Sequence, residues 1–201
     1  MSEWDSYASD WDDDPAATAY AQAAFSSLIP VVEQANLALS NTRVLDFGCG
    51  TGLLTERLVD RGASVMAVDT SQGMLDVFQA KMVDRGWSDV RSSTELPTTP
   101  ASFDLIVCSS VCSFLDDYPA TVQAMAGLLV PGGFFVQWDW ERDDDGDAED
   151  PEDAHGLSRA EITDALQSAG LEHVSVDVGF EAVVEDQVMR PLMGHGRRST
   201  N

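Results

Sequence analysis

The sequence predicts an α/β fold, with a mostly parallel sheet covered by helices on both faces. Two observations carry this. Strand-like runs alternate with longer helical stretches along most of the 201 residues, a pattern that places helices between neighbouring parallel strands. The strand-like runs, such as Phe103-Asp104-Leu105-Ile106-Val107-Cys108, are nearly continuous in apolar side chains. Strands buried on both faces read this way, whereas half-solvated strands alternate.

The elements follow in order. The first 15 residues are acidic and aromatic, with Trp4, Tyr7 and Trp11 ahead of Asp12-Asp13-Asp14. Pro15 suits the first position of a helix, and the spacing of Ala19, Ala23, Leu28, Val31, Val32 and Ala35 extends that helix over about 15 to 39. Arg43 to Phe47 is a short buried strand that runs into Gly48-Cys49-Gly50-Thr51-Gly52. A helix over about 52 to 61 follows, closed by Gly62. Ser64 to Val68 is the second strand, and about 71 to 85 is a helix ending at Gly86. A weak strand lies near Asp89-Val90-Arg91, a strong one over 103–108, and a helix over about 117 to 130 stops at Pro131-Gly132-Gly133. Phe134 to Asp139 is the next strand. Residues 139 to 153 hold ten acids against one Arg142, without apolar periodicity, and read as a solvated loop. Ser158 caps a helix through about 169 with Glu161 as its capping-box partner. Leu171 to Val178 alternates like a strand, and Val188 to His195 reads as the last one.

Composition narrows the function classes. Hydrophobic residues make up 44% of the chain, ordinary for a packed globule and against disorder. The chain carries 35 acids, 11 Lys plus Arg and a net charge of -24. Lys81 is the only lysine. Such a surface repels phosphate backbones and anionic lipid, so neither nucleic acid nor membrane is an expected partner. Arg197-Arg198 is the only adjacent basic pair. The acidity fits either plain solubility or adaptation to high salt. No apolar run approaches the roughly 20 residues that span a bilayer, and the acidic N-terminus lacks the apolar core of a secretory signal. Cys49, Cys108 and Cys112 are an odd set in apolar surroundings and read as reduced thiols, which points to a cytoplasmic protein.

The sharpest motif is Val44-Leu45-Asp46-Phe47-Gly48-Cys49-Gly50-Thr51-Gly52. A glycine turn between strand and helix lets backbone approach a ligand where a Cβ would collide. The dinucleotide fingerprint places its third glycine where this chain has Leu53, which disfavours a nicotinamide cofactor. Asp69 ends the second strand, 19 residues after Gly50, where a carboxylate accepts both hydroxyls of a ribose.

Together these residues resemble the class I S-adenosylmethionine-dependent methyltransferases of small-molecule type, similar to the ubiquinone/menaquinone-biosynthesis methyltransferases. Asp46 to Gly52 matches the family's first motif and Val68-Asp69-Thr70-Ser71-Gln72-Gly73-Met74-Leu75 its second. Leu96-Pro97, Ser102 to Val107, and Leu129-Val130-Pro131-Gly132-Gly133 match the later ones, in the right order.

The resemblance implies a Rossmann-like, doubly wound, mostly parallel seven-stranded sheet with the last strand antiparallel. It implies S-adenosylmethionine as cofactor and S-adenosyl-L-homocysteine as product. Asp46, Gly48, Cys49, Gly50, Thr51 and Gly52 would hold the methionine part, Asp69 the ribose and Met74 the adenine, with Thr70 and Ser71 also cofactor-binding. The family often has an acid four residues before its Leu-Pro pair; here that position is Ser92, so Ser92, Ser93 or backbone is expected at the adenine. Its pair of histidines after the fourth strand is replaced by Ser113 and Phe114. His155, in a His-Gly-Leu step, is either an exposed loop histidine or the candidate catalytic residue lining the acceptor pocket, and His173 and His195 read as structural. Ser109 and Ser110 lie at the sheet's C-terminal edge, where ligands bind in such folds.

Trp4, Tyr7 and Trp11 recur at spacings that share one face of a helix. They either dock the N-terminal segment or close it as a lid, with Tyr7 and Trp11 over the cofactor. The chain is expected to form a single domain: a lid segment and helix over 1–40, a cofactor-binding core over 41–140, an acidic loop over 141–157, and a C-terminal helix with strands over 158–201. The expected function is methyl transfer to a small-molecule acceptor by a monomer or homodimer without a metal. The alternative is a non-catalytic S-adenosylmethionine-binding module.

Overall fold

A computed structural model describes residues 3–142, 156–185 and 187–200. The elements are α1 (Pro15–Gln34), β1 (Arg43–Phe47), α2 (Leu53–Asp60), β2 (Ser64–Val68), α3 (Gln72–Arg85), β3 (Val90–Ser93), β4 (Phe103–Ser109), α4 (Tyr118–Leu128), β5 (Leu129–Asp139), α5 (Arg159–Ser168), β6 (Leu171–Val178), β7 (Ala182–Val184), β8 (Gln187–Met189) and β9 (Leu192–Arg198). Seven strands form one sheet in the order β3-β2-β1-β4-β5-β9-β6. β1 to β5 pair in parallel, and β9 runs antiparallel between β5 and β6. This is the doubly wound, Rossmann-like sheet that the resemblance implied.

Alternation along each strand divides the core into two layers. Val44, Val65, Ala67, Leu105, Val107, Val136 and Trp138 face α1, α2 and α3, and pack with Phe25, Leu28, Leu58 and Phe78. Leu45, Ile106, Cys108 and Phe135 face the other way, onto α4 and α5, against Val122, Met125, Ile162 and Leu166. The capping box expected at α5 is present, with the Ser158 hydroxyl accepting from Glu161 N–H and Glu161 reaching back to Ser158 N–H. All three cysteines are free and buried. No helix among the described residues is long and apolar enough to cross a membrane.

Three boundaries differ from expectation. α1 ends at Gln34 instead of continuing to about 39, because Asn36 adopts a left-handed φ of 56° and Leu37 N–H turns back onto the Val32 carbonyl. β5 begins at Leu129, so Pro131-Gly132-Gly133 lies within an irregular start of the strand; Phe103 opposes Leu129 and the register shifts before Leu105. Residues 188–195 are not one strand. Val188 belongs to a β7–β8 hairpin, and β9 starts only after Pro191, whose nitrogen has no hydrogen to donate to a ladder.

Candidate functional site

The site is built where the parallel strands end. β1 stops at Phe47, and Gly48 N–H and Cys49 N–H both donate to the Val68 carbonyl at 2.7 and 3.0 Å. This folds the glycine turn across the end of β2. Asp46, the last inward acid of β1, is fully buried. Its Oδ2 accepts from the Thr55 hydroxyl at 2.5 Å, while Oδ1 is buried without a partner. Burial pushes its pKa up to about 7, opposed by the Thr55 hydrogen bond. Asp69, beyond β2, accepts from Gly50 N–H through Oδ2 and from Ser71 N–H through Oδ1, each at 2.8 Å. Burial raises its pKa as well, against those two bonds. Cys49 stays a thiol, since burial drives its pKa well above the usual range.

A cavity of about 960 Å³ opens from this turn. Asp46, Gly48, Cys49, Gly50, Asp69, Thr70, Met74 and Ser109 border it, together with Trp11. The N-terminal segment closes one side. It forms two short 3₁₀ turns, Glu3–Ser6 and Trp11–Asp13, tied down by acids. Asp5 accepts from the Ser71 hydroxyl at 2.6 Å and from Gly73 N–H at 3.1 Å, which places a carboxylate at the positive N-terminus of α3. Asp12 accepts from the Thr51 hydroxyl at 2.6 Å and pairs with Lys81 at 2.5 Å. Trp4 packs edge-on against Phe114 and Trp11, with ring centroids 5.4 and 6.0 Å apart.

Several expected contacts are corrected. Tyr7 does not roof the cavity: it is 57% exposed and lies on the outer side of Trp4, which borders the cavity with Trp11. The segment is not a continuous helix, yet Trp4 meets both Tyr7 and Trp11, with ring centroids 6.1 and 6.0 Å apart. Thr51 and Ser71 spend their hydroxyls on Asp12 and Asp5 and do not border the cavity. Gly52 faces the Phe78 ring. Ser92 accepts from Gln79 Nε2 at 3.1 Å, and Ser93 closes a turn onto Glu95. In their place Thr94, Glu95 and Leu96 border the cavity. His155 lies outside the described residues. His195 sits in β9, stacked on Phe134 at 5.9 Å.

At the far end of the cavity Ser110, expected at the ligand-binding edge of the sheet, meets Tyr20 of α1, Trp140 and Met189 of β8, none of which was read from the sequence. Tyr20 packs against Trp140 at 5.5 Å and edge-on against Phe180 at 5.1 Å. Trp140 Nε1 donates to Ser110 Oγ at 3.1 Å. The loop behind is fixed by Asp139, which accepts from Cys112 N–H and Ser113 N–H at 3.2 and 3.1 Å. Tyr20 was hidden because, at a helical core spacing, it looks like any buried aromatic.

An open α/β sheet with a glycine turn after β1 and an acid after β2 is the cofactor-binding architecture of class I S-adenosylmethionine-dependent methyltransferases, and the residues present fit that cofactor. A Cβ on Gly50 would project into the cavity, with Met74 Sδ and Trp11 Nε1 its nearest neighbours at 4.0 Å; its φ of +54° also favours glycine. The buried, unpaired Asp46 Oδ1 is complementary to an ammonium, and each Asp69 oxygen keeps lone-pair capacity for a hydroxyl.

Residues 45–137 match the methyltransferase domain family. A ubiquinone biosynthesis O-methyltransferase of Leptothrix cholodnii is 31% identical over 108 residues, 51% of this chain and 46% of that protein. The chain thus spans about half the length of the curated relatives it matches. Among solved structures, magnesium protoporphyrin IX methyltransferase of Synechocystis with bound S-adenosylmethionine superposes with a TM-score of 0.68 at 20% identity, covering 90% of this chain and 80% of that one. A putative methyltransferase in complex with a Haloferax volcanii methyltransferase activator gives 0.70 at 19% identity, covering 99% of each chain.

Proposed function

We propose that this protein transfers the methyl group of S-adenosylmethionine to a small-molecule acceptor by in-line displacement. One observation carries the reading: a single cavity runs from the glycine turn to the Tyr20–Trp140 end. Its volume lies near the top of the roughly 300–1,000 Å³ range of ligand pockets, leaving room for an acceptor beside the cofactor. The small-molecule enzymes among the relatives support it.

When bound, the cofactor supplies an activated methyl on a sulfonium with a neutral thioether as leaving group. The chain's own part is alignment, which contributes roughly 7–11 kcal/mol in well-oriented reactions. Asp46 Oδ1 receives the amino group and the Gly48–Gly50 backbone lies against the methionine part. Asp69 takes the ribose hydroxyls, and Met74 with Leu96 holds the adenine. Trp4 and Trp11 act as the lid that excludes water, drawn from the 1–40 segment and closing on the 41–140 core. Calorimetry with S-adenosylhomocysteine tests the site, and single-turnover labelling of a metabolite extract with S-adenosylmethionine tests the transfer. Binding with no labelled product in any fraction would replace this reading with a non-catalytic binding module.

A further inference from the structure

We propose that the cavity end walled by Tyr20, Ser110, Trp140 and Met189 receives an uncharged primary or secondary amine on an apolar body, whose N–H donates to the Tyr20 hydroxyl oxygen. This rests on the methyl-transfer reading above. Tyr20 is more than nine-tenths buried, yet its hydroxyl makes no hydrogen bond of good geometry, although Ser110 lies beside it. A buried hydroxyl without a partner costs free energy that a ligand recovers. The Trp140 and Phe180 rings fix the orientation of Tyr20. Ala17, Ala21 and Met189 make the surroundings apolar. Among the described residues no Lys, Arg or His borders the cavity, whereas Glu3, Asp14 and Glu95 do, all exposed. Carboxylate and phosphate acceptors are repelled by that rim, and ammonium forms are drawn to it.

Tyr20 also reports on the spot it occupies. Burial first, then the Asp139 charge, hold this phenol well above its ordinary pKa. A phenolic acceptor bound beside it meets the same conditions, stays protonated and is a weak nucleophile. Desolvation, the larger of the two effects, acts the other way on an amine and favours the free base, against the Asp139 charge, which favours the ammonium. With its N–H on Tyr20, the nitrogen keeps its lone pair for the methyl carbon. The N–C bond forms as the C–S bond breaks, and the C–S electron pair stays on sulfur. The positive charge passes to nitrogen, and the new ammonium gives its proton to water on release.

The test uses full-length protein loaded with S-adenosylhomocysteine and calorimetry with four ligands of one size: benzylamine, N,N-dimethylbenzylamine, p-cresol and phenylacetate. Benzylamine should bind at least about tenfold more tightly than the other three and be N-methylated when S-adenosylmethionine is supplied. Tyr20→Phe should weaken benzylamine about tenfold, bring the tertiary amine level with it, leave S-adenosylhomocysteine affinity unchanged, and keep or raise the melting temperature, since an unpartnered buried hydroxyl is removed. Binding of p-cresol or phenylacetate as tight as benzylamine, no amine binding, or an unaltered Tyr20→Phe profile would overturn the proposal. Failure of the wild type to bind S-adenosylhomocysteine would instead remove the methyl-transfer reading beneath it.

Discussion

Binding of S-adenosylmethionine should expel a proton from Asp46. Burial lifts this carboxyl from an ordinary 3.8 to about 7 in the free protein, so at pH 5.5 it is mostly neutral. An ammonium at Oδ1 requires the carboxylate and returns the pKa toward its ordinary value. Affinity at pH 5.5 should therefore fall about 25-fold below its value near pH 7.5, equivalent to about 2 kcal/mol. Near pH 6 roughly 0.9 proton should leave per cofactor bound. The assay is calorimetric titration in buffers of different ionisation enthalpy, which reads proton release directly. Asp46→Asn should remove that share of the release, leaving the part due to Asp69, which burial raises too. The stability sign follows. A carboxyl whose folded pKa lies above its unfolded one contributes stability that is present at low pH and lost as pH rises from about 4 to about 7. The free Asp46→Asn protein should thus melt higher than wild type at pH 8. An affinity that stays level from pH 5.5 to 8.5, with enthalpy independent of buffer, would refute the placement of the ammonium at Asp46.

Five further outcomes are expected. Asp69→Ala should weaken S-adenosylhomocysteine at least about tenfold, since charge-assisted hydrogen bonds contribute about 1.5–3 kcal/mol each; Gly50→Val should abolish binding while the fold persists by circular dichroism, and unchanged calorimetric affinity in both would sink the site. Asp5→Ala removes the acid at the start of α3 and should cost about 1 kcal/mol in urea unfolding, whereas deleting residues 1–14 should impair turnover more than stability because the lid is lost. The melting temperature should rise between low salt and 1–2 M KCl, because 1 M salt shortens the Debye length to about 3 Å and screens the -24 charge; a flat or falling curve removes the reading of salt adaptation.

The parts of the site legible in the sequence are those encoded locally. The glycine turn, Asp46 and Asp69 sit at strand ends whose apolar runs mark them, and the Ser158–Glu161 capping box is a three-residue signal. What escaped depends on distance along the chain. Ser71 binds Asp5 and Thr51 binds Asp12 across 66 and 39 residues, so hydroxyls that look free for a ligand are already committed. Trp4, not Tyr7, borders the cavity with Trp11, because the chain here forms two short 3₁₀ turns although the aromatic spacing fits an α-helix. Met189 reaches the cavity only because the chain leaves the sheet as a hairpin before β9, and apolar residues on both sides of Pro191 mask that exit.

Lys81 of α3 holds the N-terminal segment through Asp12. The only ε-amine of the chain is held between Asp12 and Glu56 at 2.5 and 3.0 Å, with its side chain 18% exposed. Releasing the N-terminal segment strips away one of its two carboxylates and uncovers the nitrogen. A lysine-directed acylating reagent therefore marks a single internal position, and its rate of incorporation becomes a clock for opening, readable by mass without any engineered label.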